Sequence, residues 1–600
     1  MPRPNTLKAD FCIAGGGMAG VCAALAAARN GASVVLIQDR SVLGGNASSE
    51  VRMHVVGADC SGGKPGARES GIIEELRLED AFRNPHRSYS LWDLLLYEKV
   101  HLEPKITLLL DTVCTGCVTT TRASGLKVIE SVEAHRESTE DHFTIEAAFF
   151  ADCTGDGRLG LEAGADFTMG REDRAAFGET LALEQADRQT LGSSILFTAR
   201  RHAAPQPFVA PSWVRSFKQS DFVHRAFDGY EYGYWWSEWG GQLDTIKDNA
   251  AIRHELLRIA LGIWNYIKNS GNHPDSAHWA LEWVGAIPGK RESRRFLGRH
   301  ILTEHDVLKG VTPPDQVAYS GWAIDLHPPS GVDVPEEPPY TPTRFPHLFG
   351  IPVGCYCSRN VGNLFMAGRN ISATHVAFAS TRVMGTCAIG GQAVGTAAAL
   401  LHGSGKQSHL ELTAGSPQIH ALQQRLLRDD AFLPGIVSED ETDLVRTAVI
   451  RSPDSAPGME CRSLTDGVTR RLKAAWGTWA SDSAHHFESA GLPASIEITL
   501  ARESRIRTIE ITFDSGFERP LAITPSDWFT ARMTRGPQPE LVRDYRIRVD
   551  GQVVIEEVGN FLRKRAHRLK ETVTGSVIRI ELLATHGLPV ARVFEVRAYG

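Results

Sequence analysis

Cysteine is scarce in this chain: ten residues among 600, too few for a disulfide scaffold, which fits a reducing compartment. A basic excess is also missing. The formal net charge is −7 and no Lys/Arg-rich run appears, so the sequence offers no footprint for a nucleic-acid backbone. The first ten residues lack the basic start and apolar core of a secretory signal, and a cytoplasmic location is therefore expected. Only residues 385–401 form a long hydrophobic run; their Gly and Ala content, with His375 and Arg382 close before them, reads as a buried helix rather than a membrane span. No metal face is apparent, since His300 and His305 stand five residues apart and His485 and His486 are adjacent, so no required metal is expected. The lone CxxC, Cys114 and Cys117, sits in β-prone apolar surroundings rather than at a helix start. It is read as structural, as are Cys355 and Cys357.

What is present is ordinary globular material, 42% hydrophobic and 22% charged, with length for three to four domain-sized units. Residues 10–14 make a short apolar strand. A Gly-rich turn, an Ala-rich helix from Met18 to about Arg29, a stop at Gly31 and a second apolar strand at 33–37 follow at the spacing of a βαβ unit. Within it, Gly15, Gly17, Met18, Ala19 and Gly20 form a GxGxxG turn. The first glycine permits the bend, the second lets a pyrophosphate approach the backbone, and the third lets helix pack on strand, with the helix N-terminus facing the phosphate charge. The ribose hydroxyls would be held where the second strand ends, by Gln38 or Asp39.

Three further signatures favour FAD over NAD. Arg40, Gly44 and Gly45 form an arginine-plus-double-glycine pattern after the second strand; Asp152, Thr154, Gly155 and Asp156 end a later strand; and residues 363–368 give a third strand closing on Gly368. With these, the chain resembles the FAD-dependent oxidoreductase family of glutathione-reductase-like fold found in bacterial carbohydrate-utilisation clusters, over roughly residues 8 to 435. The stretches 36–54, 68–76, 234–245, 321–328 and 363–401 carry the likeness. The resemblance implies that Gly368 approaches the flavin ribityl chain, that Asn46 and Ser48 line the cofactor, and that a helix beginning near Gly385 and Thr386 aims its amides at the flavin N1 edge, where reduced flavin carries negative charge. Arg369 stands where many related flavoproteins place an aspartate.

The expected fold class is α/β: a Rossmann-like FAD domain of glutathione-reductase type with an inserted substrate domain, then an all-β sandwich. The FAD domain comprises residues 1–166, with a β-meander at 106–151 that turns at Ser124 and Gly125, and 353–435. The insertion, 167–352, contains an amphipathic helix carrying Ile252, Leu256, Ile259, Ile263 and Ile267 on one face. Period-2 runs at 496–500, 509–513, 545–549 and 578–582 place the sandwich at 446–600. It resembles discoidin-like and carbohydrate-binding domains. Trp476, Trp479 and Trp528 are either a sugar platform or core residues, and an interdomain or homo-oligomer-forming role is favoured over binding of an extracellular polymer.

Oxidising an alcohol by hydride transfer to flavin requires a base for the hydroxyl proton. His375 is the first candidate, between a cofactor strand and a cofactor helix; its alternative is a structural histidine. His54, Arg52 and Arg382 are further catalytic candidates, with Arg52 alternatively pairing with Glu50. Trp236, Glu238 and Trp239 combine flat faces with a carboxylate, the chemistry of sugar recognition, and Asp325 and His327 are further substrate contacts. Residues 290–295 are a further candidate set of substrate contacts, for which surface charge is an adequate alternative. The leading function is oxidation of a hydroxyl of a sugar, glycoside or polyol, with an unidentified electron acceptor. The alternatives are a flavin enzyme acting on a C–C bond of an organic acid, and a non-redox carbohydrate-binding flavoprotein.

Overall fold

Four apolar residues, Val34–Ile37, form a strand buried on both faces, and such strands pair in parallel beneath helices. The computed structural model describes residues 5–123, 125–459, 461–478 and 481–600; Ser124 and Trp479, named above, lie outside the described residues. Strand β1 (Asn5–Ala14) pairs in parallel with β2 (Val34–Ile37), which pairs with β3 (Ile106–Leu109). On its other side β1 pairs with the twelve-residue β6 (Asp141–Asp152). The first half of β6 continues into an antiparallel meander with β5 (Lys127–Arg136) and β4 (Val113–Thr121), while its last residues pair in parallel with β7 (Leu364–Met366). Residues 214 positions further along the chain thus finish the same sheet.

Helix α1 (Met18–Arg29) follows β1, and α6 (Met384–Gly403) lies across it. Their small residues are what let them meet. A Cβ at Gly391 would stand 2.0 Å from the Ala19 carbonyl oxygen, and one at Gly395 2.1 Å from that of Ala23. Helix α6 has the length and composition of a membrane span, yet 89% of its apolar window is buried inside the protein. Helices α2 (Ile72–Arg83) and α3 (Tyr89–His101) complete that face. Cys114 and Cys117 lie on β4 with free thiols, and burial pushes them up to about 12 and about 11.

In the middle of the chain, α4 (Asn249–Asn269) buries the expected face, Ile252, Leu256, Ile259, Ile263 and Ile267, against Phe197, Phe222, Tyr234 and Trp236. Helix α5 (His375–Thr381) precedes α6, and α7 (Pro417–Arg428) follows it. The C-terminal domain is one antiparallel sheet. Its strands β8 (Ala494–Phe513), β9 (Val542–Val549), β10 (Gln552–Glu557), β11 (Lys564–Thr585) and β12 (Arg592–Tyr599) lie in the order β12-β8-β11-β9-β10. The runs 496–500 and 509–513 are one strand, not two. Register shifts between Thr499 and Ser504 and between Ile506 and Thr508 bend it, so both halves face a shared core with Tyr545, Ile547, Ile578 and Ile580.

Candidate active site

A cavity of about 1110 Å³ runs from the glycine turn to the C-terminal domain. At one end are Gly15, Gly17, Met18, Ala19, Asp39, Arg40, Gly44, Gly45 and Asn46. Gly15 has φ +100°, and a Cβ there would strike the Cys153 carbonyl at 2.3 Å, so the bend admits only glycine. Gly17 differs. Its backbone is extended, it lines the cavity, and a Cβ on it would meet nothing of the protein within 4 Å. Its smallness serves whatever fills the cavity, not the fold. Helices α1 and α6 both begin at this wall, through Gly17, Met18 and Ala19 and through Val383, Met384 and Cys387, and neither has a side-chain cap or an acidic first turn. Two helix N-termini without side-chain caps therefore face the space, a setting for negative charge.

In the middle of the wall, Asp156 pairs with Arg369 and Lys290, each at 2.6 Å, and accepts from Ser293 Oγ. Burial raises the Asp156 carboxyl, but the two cations outweigh it and hold it well below the ordinary range. Deeper in the insertion, His327 is clamped: Nδ1 lies 2.6 Å from Glu238 and Nε2 3.1 Å from Asp325, which also pairs with Arg382 at 2.8 Å. Arg291 reaches Glu238 at 3.4 Å. Burial lowers the His327 pKa, but the two carboxylates more than reverse this and raise it, while Arg382 Nη2 also lies 3.0 Å from Nε2. Trp235 meets it edge-on, with ring centroids 5.9 Å apart.

His54 has the opposite environment. It is half-buried on the cavity wall with no carboxylate partner, its Nδ1 has no hydrogen-bond partner, and its ring stacks on Phe529 at 5.0 Å. Desolvation, assisted by Arg532, lowers its pKa to about 4, leaving a neutral ring.

A family model described as FAD dependent oxidoreductase matches residues 10–426. The chain belongs to this FAD-dependent oxidoreductase family. It is an enzyme, and FAD is its cofactor. Among curated proteins none matches the chain. Among solved structures it is similar to the family 32 carbohydrate-binding module from Streptococcus pneumoniae EndoD, at 15% identity over 26% of this chain and 98% of that one, with a TM-score of 0.20. It is also similar to the family 32 module of C. perfringens NanJ in complex with galactose, at 15% identity over 26% and 98%, with a TM-score of 0.19. Similarities of this size fix neither ligand nor site here.

The FAD end fits its cofactor through the open Gly17 and the two uncapped helix starts, but several sequence expectations need correction. Gln38 lines the cavity beside Asp39, but its Oε1 accepts from Gly16 N at 2.7 Å and its amide donates to the Val42 carbonyl, so it also braces the glycine turn, and the exposed Asp39 is the carboxylate at that end. Gly20 packs helix on strand, its Cβ position 1.9 Å from the Gly15 carbonyl. Asp152 is interior and ties the loop by accepting from Thr154 N and Gly160 N, while Thr154, Gly155, Gly368 and Arg369 reach the wall. Ser48 is buried away from it. The helix starts at Met384 rather than Gly385; Gly385 N donates to the Val56 carbonyl, Thr386 donates to Ser320, and neither lines the FAD cavity.

The leading base candidate moves as well. His375 is absent from the cavity wall; its Nδ1 lies 3.0 Å from Glu292, inside a buried network with Arg295 and Glu172. Arg52 is also off the wall. It does not pair with Glu50 but lies over Trp283 at 4.2 Å and donates to Thr198, whereas Arg382 does line the cavity. Trp239 donates to Asp333 away from it, Glu238 acts through His327, and Trp236 reaches it while packing mainly in the insertion's core. Residues 290–295 are not surface charge, because Arg291, Glu292 and Arg295 are buried. Trp528, by sequence either a sugar platform or a core residue, reaches the wall; Tyr232, Trp322 and Tyr340, together with Ser526, Phe529 and Arg532 of the C-terminal domain, complete it without being singled out by the sequence.

Proposed function

We propose that this FAD-dependent oxidoreductase oxidises a hydroxyl of a sugar, glycoside or related polyol, with an α/β body of the glutathione-reductase type. The sheet order β3-β2-β1-β6-β7, with the meander placed before the return of β6, supports the latter. One observation carries the former: a single cavity joins the dinucleotide turn to a wall of Trp235, Tyr340 and Asp325 with the neutral His54 on it. Aromatic faces stack on sugar rings, and the carboxylate, with the His327 and Arg382 donors beside it, matches hydroxyl groups. FAD, held along Gly17, Gly44, Gly45 and Arg369, would supply a two-electron acceptor for oxidation at the carbinol carbon. His54 takes the hydroxyl proton on its neutral ring. His327, with both ring nitrogens engaged by Glu238, Asp325 and Arg382, is not free to do so and orients the substrate instead. Anaerobic mixing of the holoenzyme with sugars, glycosides, polyols and organic acids tests this: bleaching of the oxidised flavin band by a sugar with carbonyl formation is expected, and a stable oxidised band across every hydroxyl compound would overturn it.

A second reading has one supporting observation. Arg344 and Arg532 line the cavity and make no ion pair among the described residues, which suits an organic acid oxidised or reduced at a C–C bond. Bleaching by the acids alone, with an alkene and no trappable carbonyl as product, would favour it.

A further inference from the structure

The C-terminal β domain reaches into the enzyme's cavity through one short segment. Between β8 and β9 the chain forms helix α8 (Asp527–Thr530), and Ser526, Trp528, Phe529 and Arg532 all line the cavity wall. Trp528 is 63% exposed, although a large apolar ring usually gains by burial. The Arg532 guanidinium lies 3.9 Å over its ring and 4.8 Å over Phe529, and donates from Nη1 to the Ser61 carbonyl at 3.2 Å. The segment is fixed from three other directions. Arg87 pairs with Asp527 at 2.8 Å and donates to Thr530; Asp527 N donates to Glu231 at 2.9 Å; and Arg535 pairs with the buried Asp80 at 2.8 Å. An indole that is both exposed and held this firmly is pre-organised for a flat partner.

We infer that Trp528 is a stacking subsite at the cavity mouth for a second sugar ring, so that the enzyme prefers glycosides and disaccharides over monosaccharides and the β domain serves its own active site in cis. This rests on the sugar-oxidation reading for the ring bound inside, against Trp235 and Asp325. Glu231, which accepts from Asp527 N, and Arg532, which lies over the Trp528 ring, line the cavity beside it and offer hydrogen bonds to the outer ring's hydroxyls.

The test compares the full-length holoenzyme with Trp528→Ala and Trp528→Phe on glucose, galactose and mannose and on cellobiose, lactose and mannobiose. Two readouts are taken, calorimetric Kd and the rate of flavin reduction. Wild type is expected to bind a disaccharide at least ten-fold more tightly than its monosaccharide; Trp528→Ala should abolish that ratio, and Trp528→Phe should restore most of it. Equal weakening toward both sugar classes, or an unchanged ratio, would overturn the subsite. Sugars that bind with the expected ratio but never reduce the flavin would sink the oxidation reading and keep the subsite, whereas no binding by any sugar would sink both.

Discussion

A side chain at Gly17 would meet no protein atom within 4 Å, whereas one at Gly20 would meet the Gly15 carbonyl at 1.9 Å. The two glycines of one motif therefore fail differently. Gly17→Val should leave the apoprotein's thermal midpoint nearly unchanged, within about 0.5 kcal/mol of the parent as for a surface change, yet purify without FAD absorbance. Gly20→Val should be unstable with or without cofactor. At the other end of the cavity, the neutral His54 carries a prediction with a sign. A base must be unprotonated, so kcat/KM should fall as pH drops through about 4 and stay level above it. Arg532 disfavours the imidazolium, so Arg532→Gln should move this acid limb to higher pH. His54→Gln should slow flavin reduction by roughly 10²- to 10⁴-fold with FAD retained. His375→Gln would lose instead a partner of the buried Glu292 and should show its effect in stability. That pair of variants separates the residue on the wall from the one beside it.

At the scale of elements, helix α6 aims its N-terminus only as well as it is seated on α1. Valine at Gly391 or Gly395 would push the helices apart against backbone oxygens 2.0 and 2.1 Å away. Gly395→Val should cost about 1–3 kcal/mol or more as overpacking, and should speed FAD dissociation, measured by flavin fluorescence on dilution, although the residue touches no cofactor. The βαβ unit, the meander and the amphipathic α4 were legible in the sequence because each is a local periodicity or a turn residue at fixed spacing. Asp156, Arg369 and Lys290, or Glu238, His327 and Arg382, are not of that kind. They meet across intervals of 55 to 213 residues that only the finished fold sets, so charge that reads as solvated in sequence turns out buried. The ribose end stayed open between Gln38 and Asp39 for a related reason: Gln38 has its amide turned to Gly16 and Val42, and spacing along the chain does not report where a side chain turns.

For the whole molecule, the two large bodies are joined by charge that neither buries alone. Phe517 of the β domain lies under three arginines, Arg68, Arg470 and Arg563, each 4.7 Å from its ring centroid. Arg68 pairs with Glu74 at 2.8 Å and donates to backbone carbonyls at 515, 516 and 519; Arg563 pairs with Asp430 at 3.1 Å; and Arg470 donates to the carbonyls of Gly66 and Arg68 and to Ser70 Oγ. Leu78 and Ala81 of α2 belong to the β domain's core, while Trp476 and Ile523 belong to that of the α/β body. An interface of buried ion pairs is costly to open, because each half left behind keeps an uncompensated charge. The two bodies should therefore unfold together. Calorimetry of the holoenzyme should show one transition, with flavin release coincident and the midpoint rising with added FAD. Phe517→Ala should destabilise the protein by about 3–5 kcal/mol, lowering the midpoint without splitting the transition. Two separated transitions, with the β domain melting apart while FAD stays bound, would mean that the domain is an independent appendage and that the cavity's outer wall is detachable.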